Sequence, residues 1–159
     1  MESRDNTLSK RAFDFINEHK ATYSETEKEK AKKKEKAADI RTELEGLPAK
    51  IKINGLSQTL IFLLEKSKTD NSGNEQNDRY LIGKELVEYL ASTQKKLQKS
   101  QTGKQLTDYP EEAYKICSNN LRHATAEAVA YTAWLKRMAK AIIPKKETGK
   151  AKNEVSDEN

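Results

Sequence analysis

The sequence predicts an all-α protein, a compact bundle of about five to six helices in one domain. Three observations predict it. The 159 residues include only six Gly and three Pro, so few positions break a helix. Ala, Leu, Glu, Lys and Gln, the strong helix formers, outnumber the β-branched Val and Ile. Apolar residues recur every three or four positions along most of the chain, the period of a helix with one buried face. Length suits a single domain. Apolar residues are 35% against about 45–50% in an average globular protein. The core is therefore thin, and much of each helix faces water or a partner.

The first helix is expected over Thr7 to His19, where Leu8, Ala12, Phe15 and Ile16 fall at helical spacing. His19 stands near its C-terminus, where a basic side chain meets the helix dipole favourably. A second, far more polar helix is expected over Glu25 to Glu45. Its segment from Lys28 to Lys36 holds six Lys and two Glu, and only Ala37, Ile40 and Leu44 offer a core stripe. Such a helix stands in solvent, supported by Glu–Lys pairs one turn apart, or else contacts RNA. Gly46, Leu47 and Pro48 are expected to end it and begin a short third helix. Lys50 to Gly55 alternates like a strand and ends in Asn-Gly, but the following segment has no alternation to pair with it. Leu56, Leu60, Leu63 and Leu64 instead share one helical face. The reading is a tight turn at Asn54 and Gly55, then a buried helix to about Lys68.

Residues 69–78 form a polar loop, and helical spacing resumes from Arg79 to about Lys99 with Ile82, Leu86, Tyr89, Leu90 and Leu97. Asp108, Pro110 and Glu111 make a helix start, since a carboxylate caps, Pro suits the first turn and acids favour that end. This helix is expected to be interrupted near Asn119 and Asn120. The stripe after it is the clearest in the chain: Leu121, Ala124 or Thr125, Ala128, Tyr131 or Thr132, Leu135, Met138 and Ile142, ended by Pro144. Residues 1–144 are thus the helical domain. Residues 145–159 carry four Lys, four acids and one Val, and are expected to be a disordered polar tail.

Composition also excludes. One Cys admits no internal disulfide, and one Cys with two His is too few for a zinc site, so no metal and no cofactor is expected. No apolar stretch approaches the roughly 20 residues that span a bilayer, and Met1 to Lys10 has no apolar signal region. A soluble, cytoplasmic protein without a membrane partner is the expectation. Gly-rich phosphate loops, His-Glu-x-x-His, Cys-x-x-Cys and Gly-x-Ser-x-Gly are missing. Cys117 and His123, six apart, read as a small buried residue and a surface one rather than as nucleophile and base. Acid pairs such as Glu25/Glu29, Glu85/Glu88 and Glu111/Glu112 read as polar-face residues, none inside an apolar segment that would tune it for catalysis. No catalytic residue and no small-molecule substrate are expected, and the protein reads as a non-enzyme.

What remains is charge. The net charge is +5, and most of the excess lies in the last third. Between residues 113 and 146 there are seven bases (Lys115, Arg122, Lys136, Arg137, Lys140, Lys145, Lys146) against Glu127 alone. A one-sided charge of this kind suits a polyanion. Lys136, Arg137 and Lys140 project to one side of the last helix, with Arg122 and Lys115 further back, and would bind phosphates without sequence preference. Trp134 suits either a base to stack on or a place in the core or a subunit interface.

Two segments then resemble a known family. The first is Leu47-Pro48, Ile51, Gly55-Leu56, Gln58, Leu60 and Phe62, with Ser57 where the family often has Gly. The second is Thr125, Glu127-Ala128 and Trp134-Leu135-Lys136-Arg137-Met138-Ala139, with Met138 in an aromatic position. Arg11-Ala12-Phe13 fits the family's first helix. In order, spacing and total length this is similar to the small-subunit family of the type III-B CRISPR (Cmr) RNA-targeting complex, the good matches covering roughly a third of the chain.

The resemblance implies a non-catalytic subunit of a ribonucleoprotein in antiviral defence. It would stack along the guide RNA–target RNA duplex beside other Cmr subunits and further copies of itself. RNA contacts carried over to this chain are Lys50, Lys52, Asn54 and Gln58 from the first motif, and Lys136, Arg137 and Lys140 from the second, with Arg122 added from the charge pattern. Leu47, Gly55, Leu56, Leu60, Trp134 and Leu135 read as fold or subunit-interface residues. The competing expectation is a stand-alone helical interaction or regulatory module without RNA binding.

Overall fold

The computed structural model describes residues 3–20, 26–65, 78–97 and 108–146. Five helices appear among them and no strand: α1 (Arg4–His19), α2 (Glu27–Asn54), α3 (Leu56–Leu64), α4 (Asp78–Leu97) and α5 (Tyr109–Ile142). The longest, α5, is the hub, packing against each of the other four. Residues 66–77, 98–107 and 147–159, which include most of the expected polar loop and of the expected tail, lie outside the described residues.

Capped by Ser3, α1 begins at Arg4, three residues before the first expected helical position, and the Ser3 Oγ accepts from the Asn6 amide at 3.3 Å. Leu8, Ala12, Phe15 and Ile16 are all buried, as their spacing predicts. At the far end the His19 ring donates from Nδ1 to the Phe15 carbonyl at 2.8 Å.

The main correction concerns α2. It does not stop at Gly46 and Pro48 but runs unbroken to Asn54. A proline inside a helix costs about 3 kcal/mol and a glycine about 1. Against this, Leu47 and Ile51 extend the buried face of Ile40 and Leu44, and each contributes about 1.5–3 kcal/mol on burial. Burial offsets the breakers. The helix ends instead at Gly55, whose φ of +85° suits a residue without a Cβ. From there α3 buries Leu56, Leu60, Leu63 and Leu64, the four leucines that the spacing groups together, and also Thr59.

Asp78 opens α4 rather than closing the loop before it. Ile82, Leu86, Tyr89 and Leu90 are buried as expected, together with Val87 and Ala91. Gly83 marks the contact with α3: a Cβ there would stand 2.9 Å from Leu63 Cβ and 3.1 Å from Leu64 Cδ2. The backbones approach that closely because glycine leaves the space.

Asp108 caps α5, its Oδ1 accepting from the Glu111 amide at 3.0 Å. The expected interruption is present. Asn120 is non-helical (φ −152°, ψ 76°), and its Oδ1 accepts from the His123 amide at 3.2 Å, restarting the helix. Ala124, Ala128, Tyr131, Thr132 and Leu135 are buried, with Met138 and Ile142 packed beside them. Leu121 departs from the expected stripe and is 48% exposed. It stands one residue past the kink, before the second half of α5 settles against the core.

Candidate nucleic-acid interface

The basic end of α5 is held in place by α2. Past the helix, Ile143 is buried and its carbonyl accepts from Arg41 Nη1 at 2.6 Å. Arg41 also donates from Nε to Glu45 at 2.9 Å. That bond, with the charges of Lys140 and Lys145, holds the Glu45 carboxyl below its ordinary pKa. Lys146 reaches Glu35 and Asp39, each at 3.3 Å. These contacts turn a one-dimensional charge excess into a surface: Lys136 is half-buried, while Arg137, Lys140, Lys145 and Lys146 are exposed. The Arg137 guanidinium lies 5.3 Å from the centre of the Trp134 ring, and Trp134 itself packs partly buried against the core.

The candidates at the α2–α3 corner fall in a different setting. Lys52, Asn54 and Gln58 are exposed. Lys50 is engaged, its Nζ 3.2 Å from Glu43, which also receives Arg79 Nε at 2.9 Å. Both cations lie over the Phe62 ring, Lys50 at 5.7 Å and Arg79 at 5.0 Å. Burial works against the Glu43 charge, but the bonds from Arg79 and Lys50 outweigh it and hold the carboxyl below its ordinary pKa. On an α-helix, Lys50 and Lys52 point about 200° apart, so they occupy opposite flanks of α2. Arg122 is exposed, and its 18-residue separation from Lys140 places it about 27 Å along α5. Of the other named residues, Leu47, Leu56, Leu60 and Leu135 are buried and Gly55 is exposed.

Sequence reasoning missed a buried polar network. Glu127 accepts from Arg4 and from the Tyr89 hydroxyl, and Glu85 accepts from Arg11 at 2.7 Å and from the Tyr131 hydroxyl at 2.6 Å. The Tyr89 and Tyr131 rings lie 4.4 Å apart, with Arg11 over both. Burial and the neighbouring carboxylates push both tyrosine pKa values up strongly. Burial opposes the Arg11 charge, yet the Glu85 bond and charge raise its pKa overall. The expectation that acids occupy only polar faces is therefore corrected: Glu127 is 8% exposed and Glu85 is largely covered. The signal was legible, because Glu127 sits between Ala124, Ala128 and Tyr131 on the apolar stripe. A carboxylate at such a position needs partners. Here they come from α1 and α4, and the network ties three helices together.

An apolar surface lies elsewhere. Ser57 and Ile61 of α3 face Ala113, Tyr114, Cys117 and Ser118 of α5 across a shallow cleft of about 180 Å³. Ile61 is 48% and Tyr114 71% exposed, so large apolar area meets water there. Among the described residues no group of three His, Cys, Asp or Glu side chains is placed to hold a metal ion. No helix among them is long and apolar enough to cross a membrane.

A family model described as CRISPR-associated protein (Cas_Cmr5) matches residues 6–142, which takes in all of the described bundle except its two extremities. No curated protein matches the chain.

Proposed function

The chain belongs to the Cas_Cmr5 family, the small subunits of the type III-B CRISPR complex, and from that premise we propose that it is a non-catalytic, RNA-contacting structural subunit. Its work is to stack beside neighbouring subunits along the guide RNA–target RNA duplex and to hold target RNA by its backbone. The observation that carries this reading is the basic end of α5. Arg137, Lys140, Lys145 and Lys146 are exposed around one helix terminus that Arg41 and Ile143 anchor to α2. Cations held on a rigid element attract phosphates without reading bases.

The non-catalytic part rests on how the covered acids are used. Glu85, Glu127 and Glu43 are each occupied by an arginine and a second donor, Tyr131, Tyr89 and Lys50 respectively. Acids committed in this way stabilise helix packing and are not available as a general acid or base. We assign the apolar cleft between α3 and α5 to contact with a neighbouring subunit, a further copy of this chain included. A stand-alone interaction module would use the same cleft but leave the α5 bases without a partner.

Affinity purification of tagged protein from its native cells, with sequencing of bound RNA and mass spectrometry of bound proteins, tests the reading. Guide RNAs together with Cmr backbone subunits are the expected yield. A clean monomer or dimer without RNA overturns it. For the surface itself, replacing Lys136, Arg137 and Lys140 with Ala is expected to flatten the salt dependence of RNA binding. The expected change is about 0.7 in log–log slope for each lost phosphate contact on single strands.

A further inference from the structure

We propose that the first three turns of α2 are a second phosphate-binding surface, joined to the end of α5 in one cationic track for a single RNA strand. This inference rests on the reading above and extends it to a segment that neither family motif touches.

The starting observation is a stretch of helix with nothing to bury. Residues 27–36 contain no buried residue, and the first core position of α2 is Ala37. These ten residues span about 15 Å of helix. Core packing does not account for them. Lys28, Lys32 and Lys36 recur at i, i+4 and i+8 and so form a row along one side of the helix. Glu35 and Asp39 lie within the same arc, and both are bound by Lys146.

That ion pair has two effects. It seats the residues after α5 beside the base of the lysine row, so the α5 bases and the α2 bases become neighbours across helices. It also offsets part of the negative charge of the two acids that interrupt the row. Glu27 is engaged in turn by Lys30 at 3.3 Å. Residues 27–39 with Lys145 and Lys146 hold eight lysines against four acids. By count this surface carries four more positive charges than negative ones.

The occupant follows from the chemistry. Lysine ammonium groups are point charges without the planar fork that selects a carboxylate or a base edge. No aromatic residue lies within residues 27–39, so the arm has no platform for stacking a base. A row of such charges about 12 Å long, continued by Lys145 and Lys140, suits a flexible polyanion of regular charge spacing. An acidic protein segment is the competing occupant, and the experiment separates it from RNA.

The test uses the full chain and a fluorescently labelled single-stranded RNA of mixed sequence, titrated over a range of salt. The variant Lys28→Ala/Lys32→Ala/Lys36→Ala is expected to lower the log–log salt slope by about 2, near 0.7 for each phosphate contact. The matching Lys→Arg variant is expected to keep the slope, because charge is retained. Ala favours a helix and none of the three lysines is buried, so the unfolding midpoint should stay at the wild-type value or rise. An unchanged slope in the Ala variant overturns the proposal, including where that variant weakens association with a protein partner instead. If the α5 variant flattens the slope and the α2 variant does not, the function above stands and this inference falls. If neither flattens it, both fall.

Discussion

The two halves of α2 are one helix built on opposite principles. Residues 27–36 carry six lysines and three glutamates and bury nothing. Residues 37–54 carry a glycine and a proline and still form the helix, because Ile40, Leu44, Leu47 and Ile51 are fully buried. The first half has the better local propensity and the second half the better packing. Helical stability in a folded protein comes mostly from the packed face. The half that looks broken in sequence is thus the half that holds the bundle together, and the half that looks helical is free to serve as surface.

The strongest way to break that contrast is truncation on each side of it. Leu47→Ala is expected to destabilise by about 2–5 kcal/mol in denaturant unfolding, since it empties a fully covered site. Lys33→Ala in the first half is expected to stay within about 0.5 kcal/mol of wild type. Comparable losses from both would mean that the first half is packed after all.

A pair of glycines sharpens the contrast at smaller scale. A methyl group at Gly83 would stand 2.9 Å from Leu63 Cβ, so Gly83→Ala is expected to cost about 1–3 kcal/mol. At Gly46 the nearest atom to such a methyl is Lys50 Cε at 3.8 Å, an ordinary contact. Gly46→Ala is therefore expected to stabilise by about 0.4–1 kcal/mol, read as a higher unfolding midpoint. A loss at Gly46 would show that α2 needs its glycine for more than chance.

The pH dependence is the gentlest probe. Glu43 binds in the packed half of α2, and its folded carboxyl pKa lies below the ordinary value of 4.5. Its contribution is present above the unfolded pKa and is lost as pH falls below about 4.5 through the folded value. Tyr89 and Tyr131 act in the opposite direction. Their folded pKa values lie above the ordinary 10.0, so the unfolded chain ionises first and stability declines as pH rises past about 10. Unfolding midpoints measured across both ranges in the wild type, Glu43→Gln and Tyr131→Phe check the assignment. A decline at both ends that neither substitution alters would place it elsewhere.

Much of this was legible in the sequence. The four core positions of α1, the four leucines of α3, the interruption at Asn120 and the cap at Asp108 all follow from period and from local chemistry. Gly46 and Pro48 misled because breaker residues report a local cost, and the compensating burial comes from α3, α4 and α5. The candidate RNA contacts were legible as residue types but not as a surface. Lys50 reads as a free cation until Glu43, Arg79 and Phe62 are seen around it, and two of these three are distant in the chain.

By itself the sequence determined the helical class, the faces that bury, the caps and the excess of charge beyond residue 113, because each depends on neighbours within about one turn or on simple counting. Tertiary structure alone decided that α2 continues through its proline, that Glu85 and Glu127 join three helices, and that Lys146 meets Glu35 and Asp39. Those outcomes depend on groups tens of residues apart. Their energies exist only once the chain has brought them within a few ångströms of one another.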